Sequence, residues 1–439
     1  MKPHPFLSRL DLVDCAPAFG HIDALGAGVV HASGPAAALG TLCMIEAAAS
    51  GGAGRAVAAE VVAVREDGIT LVPLEADAAL RLGARVTVGA DGGGTGLRAG
   101  DGFGGRAVDA LGRPIDGRGA IVDASDAGSA AVSALDRVSP ATVLASGVRA
   151  IDGLLTLGVG QRIGVFAASG VGKTSLMEQL ARQIACDRCI LCLVGERGRE
   201  VSGLWAMAAE APDPARFTLV AATSDESPVM RVRAVDQALA LADHWRARGE
   251  HVLLLIDSVT RLAMALREIG LAAGAPPTVR AYTPNVFAAL PRLVERCGAI
   301  RGQGAITAIM TVLAETDDVD DPIVEVMKSL LDGHVVLSRT LADQGHFPAI
   351  DAVRSVSRQA ARLVSPDHAA GMRRAVGLLA DYEENRVMID SGVYRPRSNE
   401  RIDRAIAARE LLAAFLRQPA DEAVPFADTV RALAGLQRA

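Results

Sequence analysis

A lysine and a threonine follow a glycine-rich turn near the middle of the chain, and together they could bind phosphate. The turn runs from Ala167 to Ser175 as Ala-Ala-Ser-Gly-Val-Gly-Lys-Thr-Ser. Backbone N–H groups of such a turn, together with the start of a following helix, surround an anion. Lys173 would reach the β- and γ-phosphates of a nucleotide, and the hydroxyl of Thr174 would bind Mg²⁺. The pattern therefore predicts a nucleotide site.

The loop departs from the usual pattern G-x-x-x-x-G-K-[ST] at its first glycine, which is Ala167 here and is followed by Ala168. Gly170 and Gly172 must then supply the backbone conformations that other residues rarely adopt. A chance glycine-rich turn is the alternative, and the lysine–threonine pair after an apolar strand argues against it. The residues expected to contact phosphate are Ala168, Ser169, Gly170, Val171, Gly172, Lys173, Thr174 and Ser175.

Two carboxylates follow apolar runs that read as buried strands. Asp257 ends the run that begins at His251, and Glu196 follows the run 189–194. The carboxyl ends of parallel strands face the ligand crevice in sheets of this kind. Asp257 would hold Mg²⁺ opposite Thr174, although it could also cap the helix that follows it. Glu196 could polarise an attacking water, whereas a charged turn without such a context is most often solvated.

Alternating strands and helices must position these residues. From residue 148 onward, apolar runs predict strands at 162–167, 189–194, 217–222, 251–256, 305–312 and 333–338. Helical spacing lies between several of them, for example from Val229 to Arg248. This alternation predicts the α/β class, with a mostly parallel sheet covered by helices on both faces.

The flanking regions have different patterns. Short apolar runs at 57–64, 69–72, 85–88 and 105–108, separated by Gly- and Asp-rich turns, predict a small N-terminal β-barrel in a domain spanning 1–118. Residues 119–147 are rich in Ala, Ser, Asp and Gly and predict a linker before a domain at 148–365 that contains the phosphate-binding turn. Helical spacing at 369–388, 399–416 and 427–436 predicts a helical bundle over 366–439.

Composition narrows the class of protein. A net charge of −6 and 3% aromatic residues give no basic, aromatic track for nucleic acid. Residues 1–11 lack an apolar core of signal-peptide length, and the charge-free stretch 24–45 is broken by glycines and a proline. We therefore expect a cytoplasmic protein with no inserted segment.

Three cysteines have a spacing that suggests metal ligands. They are Cys186, Cys189 and Cys192. The last two lie in an apolar run that predicts a buried strand, where cysteine acts as a small apolar residue. No second Cys or His pair follows at ligand spacing, so zinc is not expected.

Taken together, these motifs resemble those of the rotary ATP synthase superfamily and, more closely, the type III protein export ATPases. The resemblance rests on the segments 167–174, Gly195-Glu-Arg-Gly-Arg-Glu200, 257–265, 285–296, 332–339, Phe347-Pro-Ala-Ile-Asp351 and Ser355-Val-Ser-Arg358, and it runs from about residue 20 to the C-terminus. It implies a P-loop (RecA-like) core between an N-terminal β-barrel and a C-terminal helical bundle. The implied activity is ATP hydrolysis that energises type III protein export, most closely of flagellar type, with the injectisome system as the alternative.

The resemblance also implies roles for individual residues. Glu196 would be the catalytic carboxylate, Arg197 would support it, and Arg261 would lie near the γ-phosphate. Arg358 would be supplied to the site of a neighbouring subunit. The implied site comprises the catalytic residues Lys173, Glu196, Arg197, Arg261 and Arg358, the metal-binding residues Thr174 and Asp257, and the adenine-contacting residues Phe347 and Tyr394.

The implied ligands are ATP and Mg²⁺, and the implied assembly is a homohexamer. Its expected partners are a stator-like regulatory subunit, a central stalk protein, a membrane export gate, export substrates and their chaperones. Association with the inner membrane would be peripheral and through these partners, and no nucleic acid is expected.

Two other classes of protein share parts of this pattern. An RNA-translocating terminator needs basic and aromatic residues in its N-terminal domain, yet residues 20–105 contain Phe103 as their only aromatic residue and no lysine. A nucleotide-binding but inactive regulatory subunit is supported only by Ala167 and Ala168. Both are therefore weaker readings than the export ATPase.

Overall fold

Six short strands near the N-terminus close into a barrel in the computed structural model, which describes residues 18–47, 55–89, 96–128, 132–314 and 321–436. The strands pair antiparallel in the order β1-β2-β5-β4-β3-β6. Apolar residues alternate along them, so that Val57, Ala59 and Val61 of β4 point into the barrel core. The strands are β1 (Phe19–Gly26), β2 (Val29–Ala32), β3 (Leu42–Glu46), β4 (Ala56–Arg65), β5 (Gly68–Pro73) and β6 (Arg85–Val88). The predicted barrel is confirmed.

A mostly parallel sheet forms the centre of the molecule. Its main path is β20-β19-β13-β18-β16-β14-β15-β8, where only β20 runs antiparallel to its neighbour. Every predicted strand from residue 162 to 338 is present, and the inner strands are buried along nearly their whole length. The strands from β13 are β13 (Arg162–Ala167), β14 (Arg188–Glu196), β15 (Phe217–Thr223), β16 (His251–Asp257), β17 (Gly298–Ile300), β18 (Ala305–Leu313), β19 (Gly333–Leu337) and β20 (Val356–Ser357).

One strand that the sequence groups with the barrel belongs to this sheet instead. β8 (Arg106–Asp109) pairs in parallel with β15, with Arg106 opposite Thr218. The grouping of run 105–108 with the barrel strands was therefore wrong. Its apolar pattern suits any buried strand, and the pairing partner lies more than a hundred residues away, where local sequence carries no signal.

The predicted linker carries several short paired segments. β9 (Ser125–Asp126) pairs with β7 (Arg98–Ala99), and β10 (Arg137–Val138) pairs with β17. β11 (Val143–Leu144) pairs with β12 (Leu157–Gly158). These short ladders attach the segment to β7, to the central sheet through β17, and to the segment that precedes β13.

Helices cover both faces of the sheet and form the C-terminal part of the chain. They are α1 (Arg149–Leu154), α2 (Lys173–Gln183), α3 (Gly198–Ala209), α4 (Pro228–Ala247), α5 (Val259–Ala272), α6 (Pro284–Arg296), α7 (Pro322–Leu330), α8 (Arg339–Asp343), α9 (Ala360–Leu363), α10 (Pro366–Asp390), α11 (Glu400–Leu416) and α12 (Phe426–Leu436). The last three pack on one another and on α1, which confirms the predicted helical bundle. Among the described residues, none of the helices has both the length and the apolarity needed to cross a bilayer.

The cysteines follow the buried-strand prediction. Cys189 and Cys192 lie in β14 and have no exposed surface. Across the described ranges, His, Cys, Asp and Glu side chains form no cluster suited to a metal ion. Residues 1–11, for which the sequence predicts no signal-peptide core, lie outside the described residues.

Candidate nucleotide site

The phosphate-binding turn joins the end of β13 to the start of α2. Gly170 and Gly172 adopt positive φ values of 80° and 90°, the left-handed region that glycine enters without steric cost. Ala168 is nearly buried and is not among the residues with positive φ, so its side chain fits this backbone. Ser169 and Gly170 are exposed at the tip. The turn therefore presents a helix N-terminus to solvent, the arrangement that binds anions.

The side chain of Lys173 connects this turn to two carboxylates at the ends of other strands. Its Nζ donates a hydrogen bond to Oδ1 of Asp257 and lies 3.6 Å from Oε1 of Glu196. Glu196 ends β14 and Asp257 ends β16, and these strands are neighbours in the sheet. The parallel topology thus brings together three residues that are separated by up to 84 positions in sequence.

Glu196 is buried and only partly compensated. Its side chain is 4% exposed, and its Oε1 forms no hydrogen bond, although Nε of Arg261 lies 3.2 Å away. Burial raises the pKa of Glu196, and the charge of Asp257 adds to the rise, whereas Lys173 and Arg261 oppose it. A buried carboxylate oxygen that lacks a hydrogen-bond donor costs free energy. A ligand that donates a hydrogen bond to this oxygen would remove that cost.

Asp257 is held from the adjacent strand β18. The hydroxyl of Thr311 donates a hydrogen bond of 2.6 Å to its Oδ1. The alternative role of Asp257 as helix cap is wrong, because Ser258 occupies the N-cap of α5 and its Oγ accepts from the backbone N–H of Arg261. Asp257 is therefore free of a structural role at the helix end.

Arg197, predicted to support Glu196, and Arg261, predicted near the γ-phosphate, have different surroundings. Arg261 projects from the first turn of α5, and its aliphatic stem packs over Gly195, where a Cβ would lie only 3.0 Å from Cδ of Arg261. Gly195 also has a φ of 68°, which favours glycine. Arg197 is the N-cap residue of α3 and is exposed. Arg261 therefore lies in the carboxylate cluster, and Arg197 lies outside it.

Arg358 lies near the start of β13, at the opposite end of the parallel strands from the phosphate-binding turn. It follows β20, its backbone N–H donates to the carbonyl of Asp332, and its guanidinium donates to the carbonyl of Lys328. Asp332 in turn accepts from the backbone N–H of Arg162 at the start of β13. Five residues of strand from Arg162 to the phosphate-binding turn correspond to roughly 17 Å. The exposed side chain of Arg358 is thus separated from Lys173 of its own chain.

The two aromatic residues assigned to adenine are also separated. Phe347 is 47% exposed, and its ring edge is 3.4 Å from the position a Cβ would take at Gly172. Its carbonyl accepts from the backbone N–H of Gln418, just beyond α11. The hydroxyl of Tyr394 instead bonds to the backbone of Asn399, at the opposite end of α11. Since 17 helical residues span roughly 25 Å, Tyr394 does not join Phe347 beside the turn, and its assignment to adenine is not retained.

The residues present suit a magnesium–nucleotide ligand. Carboxylate and hydroxyl oxygens, as on Asp257 and Thr174, are the ligands that Mg²⁺ takes in nucleotide sites. The ammonium of Lys173 has two carboxylate neighbours here and could instead bind phosphate oxygens. The sequence analysis did not single out Thr311, although it is one of only two polar residues, with Thr307, in the strand β18, and that was a usable signal.

Comparisons with known families match two regions of the chain. Residues 147–357 match the nucleotide-binding domain of the ATP synthase alpha/beta family. Residues 364–435 match the C-terminal domain of the type III secretion ATPase EscN.

Several curated proteins are similar along most of their length. A flagellum-specific ATP synthase of Bacillus subtilis is 39% identical over 438 residues, which cover 99% of each chain. A flagellum-specific ATP synthase of Salmonella typhimurium is 40% identical and covers 98% of this chain and 95% of its own. A type 3 secretion system ATPase of Xanthomonas euvesicatoria is 45% identical over 333 residues, 75% of each chain.

Solved structures give the same picture. The assembled ATPase EscN from the type III secretion system of enteropathogenic E. coli superposes with a TM-score of 0.87 at 36% identity, and the match covers 95% of this chain and 99% of that one. EscN in complex with its central stalk EscO superposes with a TM-score of 0.82 at 35% identity, with the same coverage.

Proposed function

The chain is an ATPase that belongs to the ATP synthase alpha/beta family and, within it, to the type III protein export ATPases, and from this premise we propose that it hydrolyses Mg-ATP at the subunit interfaces of a homohexamer to energise flagellar protein export. One observation carries the proposed site. The phosphate-binding turn and the ends of β14 and β16 bring Lys173, Glu196 and Asp257 into contact.

Each of these residues has a task in phosphoryl transfer. Lys173 would bind the β- and γ-phosphate oxygens and leave its carboxylate partners as it does so. Glu196 would accept the hydrogen of the attacking water and orient it, and its raised pKa makes it a stronger base than a solvated glutamate. Thr174 and Asp257 would hold Mg²⁺, which supplies positive charge to the phosphate oxygens when bound. Arg261 would remain beside Glu196 and balance its charge.

The position of Arg358 supports a site shared between subunits. Arg358 is exposed, and its backbone is held at Asp332, beside Arg162, which precedes the turn of its own chain by roughly 17 Å of strand. Head-to-tail contacts between identical subunits can place such a residue on the neighbour's site, and a closed ring repeats the contact. We propose that Arg358 acts there on the γ-phosphate, with Arg197 at the exposed rim of the site. EscN, whose solved structure is that of an assembled ATPase, is consistent with this arrangement.

Phe347 is the aromatic residue that we propose for the adenine ring. It lies beside Gly172 and presents nearly half of its side chain to solvent, which a base could cover. Stacking of a base on this ring would remove apolar surface of both from water.

The flagellar apparatus is the system that we favour, because the Bacillus subtilis relative aligns over 99% of both chains. A virulence secretion apparatus is the second candidate, supported by the 45% identity to the Xanthomonas protein. In either system the expected partners are a central stalk protein, a stator-like regulator, a membrane export gate, and export substrates with their chaperones. We propose that the protein meets the inner membrane only through these partners.

Deletion of the gene tests the system, and purified protein tests the activity. We expect non-motile cells that make flagellin but do not export it, and motility restored by the wild-type chain but not by Lys173→Ala. Motile cells with a lost secretion phenotype would assign the chain to the second system. Absence of Mg²⁺-dependent ATP hydrolysis in the purified, assembled protein would contradict both candidates.

A further inference from the structure

A pair of thiols lies at the end of the central sheet away from the nucleotide site. Cys186 is in the turn between α2 and β14, and Cys189 is the second residue of β14. Cys186 is partly exposed, whereas Cys189 is completely buried beneath it. The two cysteines are three residues apart, the spacing of many redox-active pairs.

The guanidinium of Arg216 lies directly beside the outer thiol. Its Nη1 is 3.4 Å from Sγ of Cys186. The same guanidinium donates to the carbonyls of Ala181, Arg182 and Ile184, the last carbonyls of the phosphate-binding helix α2. Since these bonds fix Arg216 in place, its positive charge stays at the thiol and favours the thiolate form.

The environment of each thiol gives it a different reactivity. A hydrogen bond from Cys189 and the charge of Arg216 lower the pKa of Cys186 against the effect of burial. Burial raises the pKa of Cys189, and the neighbouring Cys186 adds to that rise. The outer thiol is therefore activated and belongs to a partly exposed residue, while the inner thiol is fully buried.

We propose that Cys186 and Cys189 form a peroxide-sensitive dithiol, in which Cys186 reacts first and Cys189 resolves the product into a disulfide. The thiolate of Cys186 attacks a hydroperoxide, so that an S–O bond forms, the O–O bond breaks and the released oxygen leaves as water or an alcohol after protonation. The thiol of Cys189 then loses its proton and attacks the sulfur of Cys186. The S–S bond forms, the S–O bond breaks and water leaves, so that two thiols are oxidised while one peroxide is reduced.

The remaining described cysteines serve as internal references. Burial raises the pKa of Cys43 to about 11 and that of Cys297 to about 12, and Cys192 is also buried with a raised pKa. Cys15 lies outside the described residues, so it is replaced by serine in every protein used. Folded protein is alkylated with iodoacetamide at pH 7, and the rate at each cysteine is read by peptide mass spectrometry. We expect Cys186 to react at least about tenfold faster than the three buried thiols.

Hydrogen peroxide then tests the second step. Trypsin cuts after Arg188, between the two cysteines, so their disulfide joins two separate peptides and is identified directly. Cys189→Ser should stop at a sulfenic acid on Cys186 that dimedone traps. Cys186→Ser should leave Cys189 unmodified. Because the second peptide also contains Cys192, a link that persists in Cys189→Ser would assign the resolving thiol to Cys192 and overturn the proposed pair.

Arg216 is tested separately from the fold. Arg216→Lys keeps the charge and Arg216→Gln removes it, and both are compared by circular dichroism and thermal melting. Alkylation of Cys186 should slow severalfold more in the glutamine variant than in the lysine variant. If Arg216→Gln does not fold, the peroxide experiments on the cysteine variants still test the proposed dithiol. Cys186 that reacts no faster than the buried thiols, or peroxide that gives no linked peptides, would contradict the proposal.

Discussion

Lys173, at the start of the helix that follows β13, donates a hydrogen bond to Asp257. Asp257 ends β16, which lies two positions from β13 in the sheet. The same ammonium is 3.6 Å from Glu196 on the next strand, so one cation balances two buried carboxylates. A single added negative charge, such as a phosphate, would compete directly for this ammonium. In the proposed mechanism the cluster couples nucleotide binding to the charge state of Glu196.

Replacement of Lys173 by alanine should abolish ATP hydrolysis. The phosphates lose their main counter-charge, and two carboxylates are left facing them. Turnover should fall by about 10³ or more, measured as phosphate release by purified protein. Circular dichroism controls for folding, and near wild-type turnover in the folded variant would refute the assignment of the phosphate-binding loop.

Glu196→Gln should separate binding from chemistry. The amide keeps the shape of the side chain but cannot take the hydrogen of an attacking water, so turnover should drop by about 10²–10⁴. Nucleotide affinity should persist, as read by equilibrium binding of a fluorescent ATP analogue. Glu178→Gln, at a partly exposed glutamate of α2, is the matched control and should keep its activity. If affinity collapses while the rate per bound site survives, Glu196 has a structural role.

The raised pKa of Glu196 predicts a pH dependence of the rate. Below its pKa the side chain is protonated and cannot orient water, so kcat/KM should fall as the pH is lowered. Because burial and Asp257 raise this pKa, the fall should begin at a higher pH than the ordinary glutamate range. The acid limb should move when Arg261→Gln removes an opposing charge, and the shift should be toward higher pH. If the acid limb is identical in the Arg261→Gln protein, the pH dependence does not arise from Glu196.

Phe347→Ala should weaken ATP binding without unfolding the protein. Stacking of a base on an aromatic ring contributes about 1 kcal/mol or more, so KM for ATP should rise about fivefold or more. The side chain is already half exposed, so the melting temperature should change little. Tyr394→Ala is the control, since Tyr394 lies at the far end of α11 and its loss should leave KM unchanged. The reverse pattern would place adenine against Tyr394.

Much of this architecture could be predicted from the sequence because it is encoded locally. The strand–turn–helix around Lys173 and the apolar runs that end at Glu196 and Asp257 carry strong short-range patterns. The structure differs from the prediction where pairing between strands distant in sequence determines the arrangement. β8 joins the central sheet through a partner far along the chain, and Thr311 reaches Asp257 only because β18 lies beside β16. Ser258 rather than Asp257 caps α5, a one-residue difference that helix-capping preferences alone do not resolve. The domain boundaries at 118, 147 and 365 remain a prediction.

A mixture of two inactive proteins tests the shared site most directly. Arg358→Ala should lose about 10³–10⁵ in rate while keeping nucleotide affinity, because the guanidinium would stabilise charge on the transferring phosphoryl group. Arg362→Ala, an exposed arginine four residues further along, should remain active. The structure already argues against a buried structural role, since Arg358 is exposed.

The Lys173→Ala and Arg358→Ala chains are each expected to be inactive. They carry different affinity tags and are unfolded and reassembled together. In a randomly mixed ring, about one interface in four combines an intact loop with an intact arginine. We predict that co-purified mixed oligomers regain hydrolysis far above either parent. Mixed oligomers that co-purify through both tags yet stay at the background rate would contradict a site completed by the neighbouring subunit.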